Sequence, residues 1–309
     1  MGLKKIARFF SRAYAGGMGL KAFGLLCSML LLLAGGCGYD VTETTTYRAA
    51  NWTTDGQIIA RRLTLKHGKN LISNSIPMGS SEEIVLMNAD GSGEHGLFSV
   101  DENMIMLIEM SPRGNYVGYI NGDGELKIYT RGGALVGRVT LGADNSVQVL
   151  DFSPDETKVY LSFGYGEMLI YSVPDLVAIV RNRLGGGGVW KTNEKLLVYH
   201  SDLGGLGEYS LPNLTMTHLF AFSVNEMVYN SDKNTLYSLG AEAVYSYVLG
   251  GTGYETRPVS WSPYEANDFT GKHLSGDGGR VVMGDAFEYG GIGIFILDIE
   301  AGGGIVRIR

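Results

Sequence analysis

Apolar and polar positions in this chain recur as one unit along residues 44–309. In each unit an apolar or aromatic residue precedes a short polar turn that usually contains Asp or Gly, and an alternating β-like run follows. Successive units begin 58, 42, 38, 39 and 45 residues apart. Four of these intervals lie near the roughly 40–45 residues of a four-stranded propeller blade. The six apolar residues, which we call the anchor residues, are Trp52, Met110, Phe152, Trp190, Tyr229 and Leu274.

Each unit continues with a turn, a second β-like run and another Gly or Asp turn, as in GELKIYTRGGA (residues 124–134) and GEMLIYSVPDL (residues 166–176). No helical pattern separates the runs, which argues against βαβ units. We therefore predict an all-β fold, a six-bladed β-propeller of four-stranded antiparallel blades, with seven blades as the alternative.

The anchor residues are predicted to pack between neighbouring blades. The polar turn after each of them lets the chain reverse between two strands, and Gly within it permits a positive φ angle. The first interval is longer than the others, and we predict that HGKNLISNSIPMGSS (residues 67–81) is a loop insertion.

Three segments carry a more specific resemblance: WTTDG (residues 52–56), FSPD (residues 152–155) and IVLMNADGSG (residues 84–93). They are similar to the W-S-P-D-G and I-Y-V-M-N-A-D-G-S-G elements of TolB-like, WD-like β-propeller repeats. The resemblance covers residues 44–309 and implies inner strands that line a central channel. TolB itself carries an α/β domain before its propeller, and the segment between Cys37 and Trp52 has no room for one. A role in the Tol–Pal system is therefore not implied.

The first 36 residues have the organisation of an export signal. A basic stretch without acidic residues precedes an apolar run of 13 residues, Ala22 to Ala34, which is shorter than the ~20 residues of a spanning helix. Residues 34–37, AGGC, resemble a bacterial lipobox, in which Cys37 takes the lipid. Ordinary secretory cleavage after Gly36 is the alternative. We predict a signal peptide at 1–36, a short tether at 37–43 and the propeller at 44–309.

Charge and cysteine content exclude several classes of function. Residues 37–309 contain 20 Lys and Arg against 32 Asp and Glu, so a nucleic-acid partner, which requires clustered basic residues, is not expected. Cys37 is the only cysteine after the leader. An internal disulfide and a cysteine metal cluster are therefore excluded.

Catalytic motifs are missing from the sequence. No serine has Gly at both −2 and +2, as a nucleophile elbow requires. The histidines are scattered without a metal-binding spacing, at positions His67, His95, His200, His218 and His273. We therefore predict no enzyme activity, no cofactor and no metal site. Carboxylates from different blades that face the channel are the remaining route to catalysis.

The connection at residues 254–269 has the character of a recognition segment. It places three aromatic residues beside an arginine, and these residue types are enriched at binding hot spots. The candidate binding residues are Arg257, Trp261, Tyr264 and Phe269. In the alternative interpretation, Trp261-Ser-Pro is a relocated copy of the repeat motif and Trp261 belongs to the core.

The function we predict is that of a binding module. A lipid-anchored propeller, in the outer membrane and facing the periplasm or the cell surface, would hold an envelope protein or peptide with its channel mouth and blade loops. One alternative is an envelope hydrolase. Acidic groups, or a His–carboxylate cluster, that converge in the channel would favour it. The other is a structural subunit of an outer-membrane assembly or secretion complex, which a complex of fixed stoichiometry would favour.

Cys37→Ser is expected to release the protein from the membrane fraction. Acyl chains contribute roughly 0.8 kcal/mol per buried CH₂, and one cysteine carries the whole anchor. Fractionation followed by immunoblotting measures the effect, and Cys27→Ser, within the apolar run, is the matched control. Retention of Cys37→Ser in membranes would mean that the apolar run or a partner holds the protein there.

Overall fold

The computed structural model describes residues 40–69, 76–100, 105–141, 147–164, 166–183, 186–200, 204–211, 213–220, 226–240, 242–251, 253–261, 269–286, 291–300 and 305–309. In these ranges the chain forms 24 β-strands and no helix. The strands build six four-stranded antiparallel sheets, so the predicted six-bladed propeller is confirmed. Residues 45–64 and 81–309 form the compact unit that carries it.

Every blade consists of four consecutive strands. Blade 1 comprises β1 (Asp40–Trp52), β2 (Ile58–Lys69), β3 (Ile76–Met87) and β4 (His95–Val100). Blade 2 comprises β5 (Ile105–Met110), β6 (Tyr116–Asn121), β7 (Glu125–Thr130) and β8 (Leu135–Thr140). Blade 3 comprises β9 (Val147–Phe152), β10 (Lys158–Phe163), β11 (Glu167–Ser172) and β12 (Ala178–Arg183).

The second half of the ring has the same construction. Blade 4 comprises β13 (Gly188–Thr192), β14 (Lys195–His200), β15 (Gly205–Ser210) and β16 (Thr215–Phe220). Blade 5 comprises β17 (Glu226–Asn230), β18 (Thr235–Leu239), β19 (Ala243–Val248) and β20 (Tyr254–Pro258). Blade 6 comprises β21 (Phe269–Leu274), β22 (Arg280–Ala286), β23 (Gly291–Asp298) and β24 (Ile305–Arg307).

The first strand of each blade lies at the centre of the ring. β5 contacts β9, β9 contacts β13, β13 contacts β17, and β17 contacts β21. The fourth strands lie outside, and β8 and β20 are mostly exposed. The inner strands therefore line a channel, as the repeat resemblance implied.

Six hydrophobic clusters fill the six spaces between neighbouring blades. Each anchor residue belongs to, or packs against, the cluster between its own blade and the preceding one; Phe152 of blade 3, for example, packs with Ile120 and Ile128 of blade 2. Five anchors are buried and Tyr229 is half-buried. The predicted position of the anchor residues between blades is confirmed.

The second strand of a blade is buried on both faces. Val159 and Leu161 of β10 pack toward blade 2, whereas Tyr160 between them packs toward blade 4. The sequence pattern predicted an alternating run, but a sheet with a neighbour on each face buries successive side chains in different clusters. Such a strand carries consecutive apolar residues, as Val159, Tyr160 and Leu161 do in β10.

A serine or threonine hydroxyl holds the turn after four of the anchors, Trp52, Met110, Phe152 and Leu274. The Ser153 hydroxyl accepts the Lys158 N–H at 2.9 Å and donates to the Asp155 carboxylate at 2.7 Å. Ser275 does the same with Arg280 and Asp277. The Ser-x-Asp pattern therefore closes the turn from within, because it satisfies backbone groups that the strands leave unpaired.

Gly ends this turn in a left-handed conformation in blades 1, 2 and 6, at Gly56, Gly114 and Gly278. Blade 3 has Glu156 there, with φ at 63°. The Glu156 carboxylate accepts hydrogen bonds from the Arg113 N–H and from the side chains of two further blade 2 residues, Ser111 and Asn115. The residue with this strained backbone, Glu156, thus joins blades 2 and 3 through side-chain hydrogen bonds.

The predicted loop insertion at residues 67–81 is wrong for the part that the structure describes. β2 extends to Lys69 and β3 starts at Ile76, so this region lengthens a strand pair. It falls in the second compact unit, residues 1–44 and 65–80. Within that unit the Lys66 ammonium lies 3.0 Å from the Glu43 carboxylate.

Among the described residues, no helix has the length and apolar character to cross a membrane. Cys37 and the rest of the predicted leader lie outside the described residues. The signal peptide, the tether and lipidation therefore stay predictions.

Phe152→Ala is expected to lower the free energy of unfolding by about 3–5 kcal/mol, because it opens a cavity between two blades. Phe152 is 2 % exposed, and a Cβ added at Gly118 would lie only 3.0 Å from its ring. Urea unfolding followed by tryptophan fluorescence measures the loss. The control, Leu135→Ala, removes a side chain that is 50 % exposed and should change stability by under about 0.5 kcal/mol. Equal losses for both variants would contradict the inter-blade position of Phe152.

Candidate functional site

The channel contains a cavity of about 320 Å³ that residues from all six blades line. It runs along the inner strands to the turns that follow the anchor residues. Three exposed turn residues, Thr54, Pro154 and Ser231, belong to its lining. The cavity therefore opens on the end of the propeller that carries these turns, which we call the turn face.

Side-chain alternation along the inner strands sets the chemistry of the cavity. An anchor residue points toward the preceding blade, and the residue before it lies on the opposite face of the inner strand. Asn51 shows this, because its amide donates to the Ile108 carbonyl of blade 2 at 3.3 Å. Position by position, the residues before the anchors are Asn51, Glu109, Asp151, Val189, Val228 and His273.

Glu109 is a half-buried residue that lines the cavity. The Asn51 amide donates a hydrogen bond to it. Burial raises its pKa well above the usual range, and the nearby charges of Asp151 and Glu226 raise it further. Desolvation and like charge act in the same direction here, and both favour the protonated acid.

Asp151 lies on the next inner strand and bridges to blade 4. Its carboxylate accepts the backbone N–H of Trp190 at 3.0 Å, and its carbonyl accepts the Trp190 indole N–H at 3.2 Å. Burial raises its pKa to about 7 against the opposing effect of the Trp190 and Phe152 N–H groups, and the charge of Glu226 adds to the rise. Asp151 therefore exchanges its proton near neutral pH.

A histidine and a third carboxylate complete the cluster. His273 Nδ1 of blade 6 lies 3.2 Å from the Glu226 carboxylate of blade 5. Beside them, burial lowers the pKa of the half-buried Lys272, while Glu226 opposes that shift. Four ionisable side chains from four blades thus line one cavity: Glu109, Asp151, Glu226 and His273.

The arrangement suits a cationic or proton-donating group more than a metal ion. Among the described residues, no set of three or more His, Cys, Asp or Glu side chains has the geometry to hold a metal. The walls also offer apolar surface from Leu107, Val149 and Met227. Convergent polar groups on an otherwise apolar wall are typical of ligand pockets.

Of the residues predicted from the 254–269 connection, Arg257 and Trp261 are described, and neither belongs to the lining of this cavity. The Arg257 guanidinium lies over the Tyr237 ring, 5.4 Å from its centroid, and 3.6 Å from the Glu300 carboxylate. Trp261 is 9 % exposed and packs in the cluster between blades 5 and 6, as the core interpretation expects. Tyr264 lies outside the described residues, as does the side chain of Phe269. A binding role for these four residues stays a prediction.

Sequence reasoning missed the carboxyl groups as a site. Glu109 and Asp151 directly precede the anchor residues of the two Ser-Pro units, so aligning the repeats shows that they occupy equivalent positions. Glu226 lies three residues before its anchor, and His273 had counted as one of several scattered histidines. Equivalent position along a repeat is the signal that locates Glu109 and Asp151.

Known folds show the same architecture. Neither a scan of family models nor a search of curated protein sequences gives a match. The β-propeller domain of Cps50 (Swd1) from Myceliophteria thermophila is 10 % identical over 87 % of this chain and 88 % of that chain, with a TM-score of 0.52. Hsv2 from Kluyveromyces lactis is 12 % identical over 83 % of this chain and 74 % of that chain, also with a TM-score of 0.52.

The C-terminal WD40 domain of Sif2 is 13 % identical over 86 % of this chain and 74 % of that chain, with a TM-score of 0.51. Likeness at this level of identity concerns the fold alone. It agrees with the arrangement of the 24 strands and with the inner strands around a channel. This chain therefore has a WD40-like β-propeller fold.

Proposed function

We propose that this chain is a lipid-anchored cell-envelope β-propeller that binds a protein or peptide. The observation that carries the proposal is the cavity of about 320 Å³ that all six blades line and that opens among exposed residues of the turn face. A partner inserts a side chain or a loop tip into this opening and rests on the surrounding turns.

The size and rigidity of the cavity support this use. Ligand pockets usually measure about 300–1,000 Å³, so this one suits a short segment. Its walls belong to inner strands held by inter-blade clusters, and side-chain hydrogen bonds close turns on its rim, as at Ser153 and Asn230. A rim fixed in this way costs little ordering entropy on binding.

The membrane anchor is the sequence-based part of the proposal. It rests on the basic leader, the apolar run from Ala22 to Ala34 and the small residues before Cys37. A lipidated Cys37 lies only a few residues before β1, which starts at Asp40. A short connection of this kind keeps the propeller beside the membrane surface.

The same carboxyl groups favour a second candidate, an envelope hydrolase. Glu109, Asp151 and Glu226 come from three blades, and the charge of Glu226 raises the pKa of both Glu109 and Asp151. Glycoside hydrolysis uses one protonated and one ionised carboxyl group. A panel of chromogenic glycosides and esters tests this candidate: turnover that Asp151→Asn and Glu226→Gln both abolish would establish it over a binding module.

Ser231→Trp is expected to weaken peptide binding at least tenfold, because the indole would cover the mouth of the cavity. Wild-type protein is first used to select ligands from a displayed random-peptide library, and affinities of the selected peptides are then measured by fluorescence anisotropy. Val177→Trp is the matched control, since Val177 is 63 % exposed beside the outer strand β12.

Thermal melts monitored by circular dichroism establish that both variants are folded. If the selected peptides bind Ser231→Trp and wild type equally, the turn-face cavity is not the binding site. If repeated selections enrich no peptide, the chain is not a peptide-binding module.

A further inference from the structure

We infer that the channel cavity takes one cationic side chain, a lysine or an arginine of the partner, and releases a proton as it does so. The inference rests on the proposed function and specifies the chemistry of its ligand. Three carboxyl groups that line the cavity point to it, and each comes from a different inner strand.

The charges around the cavity leave its carboxyl groups available to a cation. β5 contributes Glu109, β9 contributes Asp151 and β17 contributes Glu226, whereas β1 contributes only the neutral amide of Asn51.

Two strands bring positively charged groups to this region. Lys191 of β13 donates to the Glu208 carboxylate of its own blade, which neutralises it. On β21, His273 and Lys272 lie on the side of Glu226. Glu109 and Asp151 therefore face the cavity without a lysine or arginine partner among the hydrogen bonds and ion pairs of the described residues.

A lysine or arginine side chain suits this cavity, because it donates hydrogen bonds to carboxyl groups and carries the charge opposite to theirs once they ionise. Among the described residues, no set of three or more His, Cys, Asp or Glu side chains has the geometry to hold a metal ion. A carboxylate ligand would meet the like charge of Glu226.

Proton release follows from the enclosure of the two acids. A protonated carboxyl group that meets an incoming ammonium loses its proton to solvent, and the resulting carboxylate pairs with the cation. Burial raises the pKa of Asp151 to about 7, so below that pH the free protein holds the proton that the complex must release. Affinity therefore rises with pH below about 7, by up to about tenfold per pH unit for one proton.

The probes are fluorescein-labelled octapeptides of Gly and Ser with one central residue, Lys, Arg, norleucine, Gln or Glu. Dissociation constants for the full-length protein in detergent are measured by anisotropy at pH 6, 7 and 8. Titration calorimetry in two buffers of different ionisation enthalpy counts the protons released. Butylammonium is used as a competitor. It shows whether the cavity binds any alkylammonium ion or requires one that is part of a peptide.

We expect the Lys and Arg peptides to bind at least tenfold more tightly than the norleucine and Gln peptides, with proton release at pH 6. Asp151→Asn should weaken binding of the Lys peptide at least tenfold at pH 8 and reduce the pH dependence of its affinity. The asparagine keeps an acceptor for the Trp190 N–H. The control, Glu255→Gln, removes an exposed carboxylate on β20 and should change neither.

Equal binding of the Lys and Gln peptides, with sensitivity to Ser231→Trp, would overturn this inference and leave the proposed function intact. Affinity without pH dependence between pH 6 and 8, or binding of butylammonium as tight as that of the Lys peptide, would also overturn it. Failure of every peptide to bind would overturn the proposed function together with the inference.

Discussion

Packing between blades is the interaction on which the rest of this structure depends. Each blade buries both faces of its sheet, and six clusters fill the spaces around the ring. The described strands of the first and last blades belong to separate sheets, so side chains close the ring. Val85 and Met87 pack against Ile294, and Arg309 lies 3.0 Å from Glu94. Hydrophobic burial at these interfaces stabilises the propeller without disulfides.

Closure of the ring also determines the chemistry of the channel. The residues next to the anchors lie on the opposite face of the inner strands, and the ring encloses them there. Asp151 and Glu109 are therefore desolvated by the same packing that stabilises the fold. Buried acids without a cationic partner destabilise a folded chain at neutral pH, since the unfolded chain ionises more readily. Such groups occur mainly at functional sites, which agrees with a channel that receives a ligand.

The repeat made most of the fold predictable. The anchor residues, the turns and the number of blades could be predicted from a pattern that recurs along the chain. The pattern recurs because each blade must bury both faces of its sheet against its neighbours. The loop predicted at residues 67–81 is wrong because polar and glycine residues also occur in the lengthened strands that end at Lys69 and start at Ile76. Aligning the repeats locates Glu109 and Asp151 at equivalent positions, but it does not show that Glu226 joins them, because Glu226 has another position in its repeat and meets them only when the ring closes.

The most direct test of this account is the pKa of Asp151 in the folded protein. Carbon-13 NMR of the aspartate carboxyl groups, with Asp151→Asn to assign the resonance, gives the value. The account requires a midpoint of about 7, because the closed ring desolvates this carboxyl group beside Glu226. A midpoint near the ordinary 3.8 would show that water solvates the carboxyl group freely, and it would contradict both the enclosed channel and the proton-linked binding derived from it.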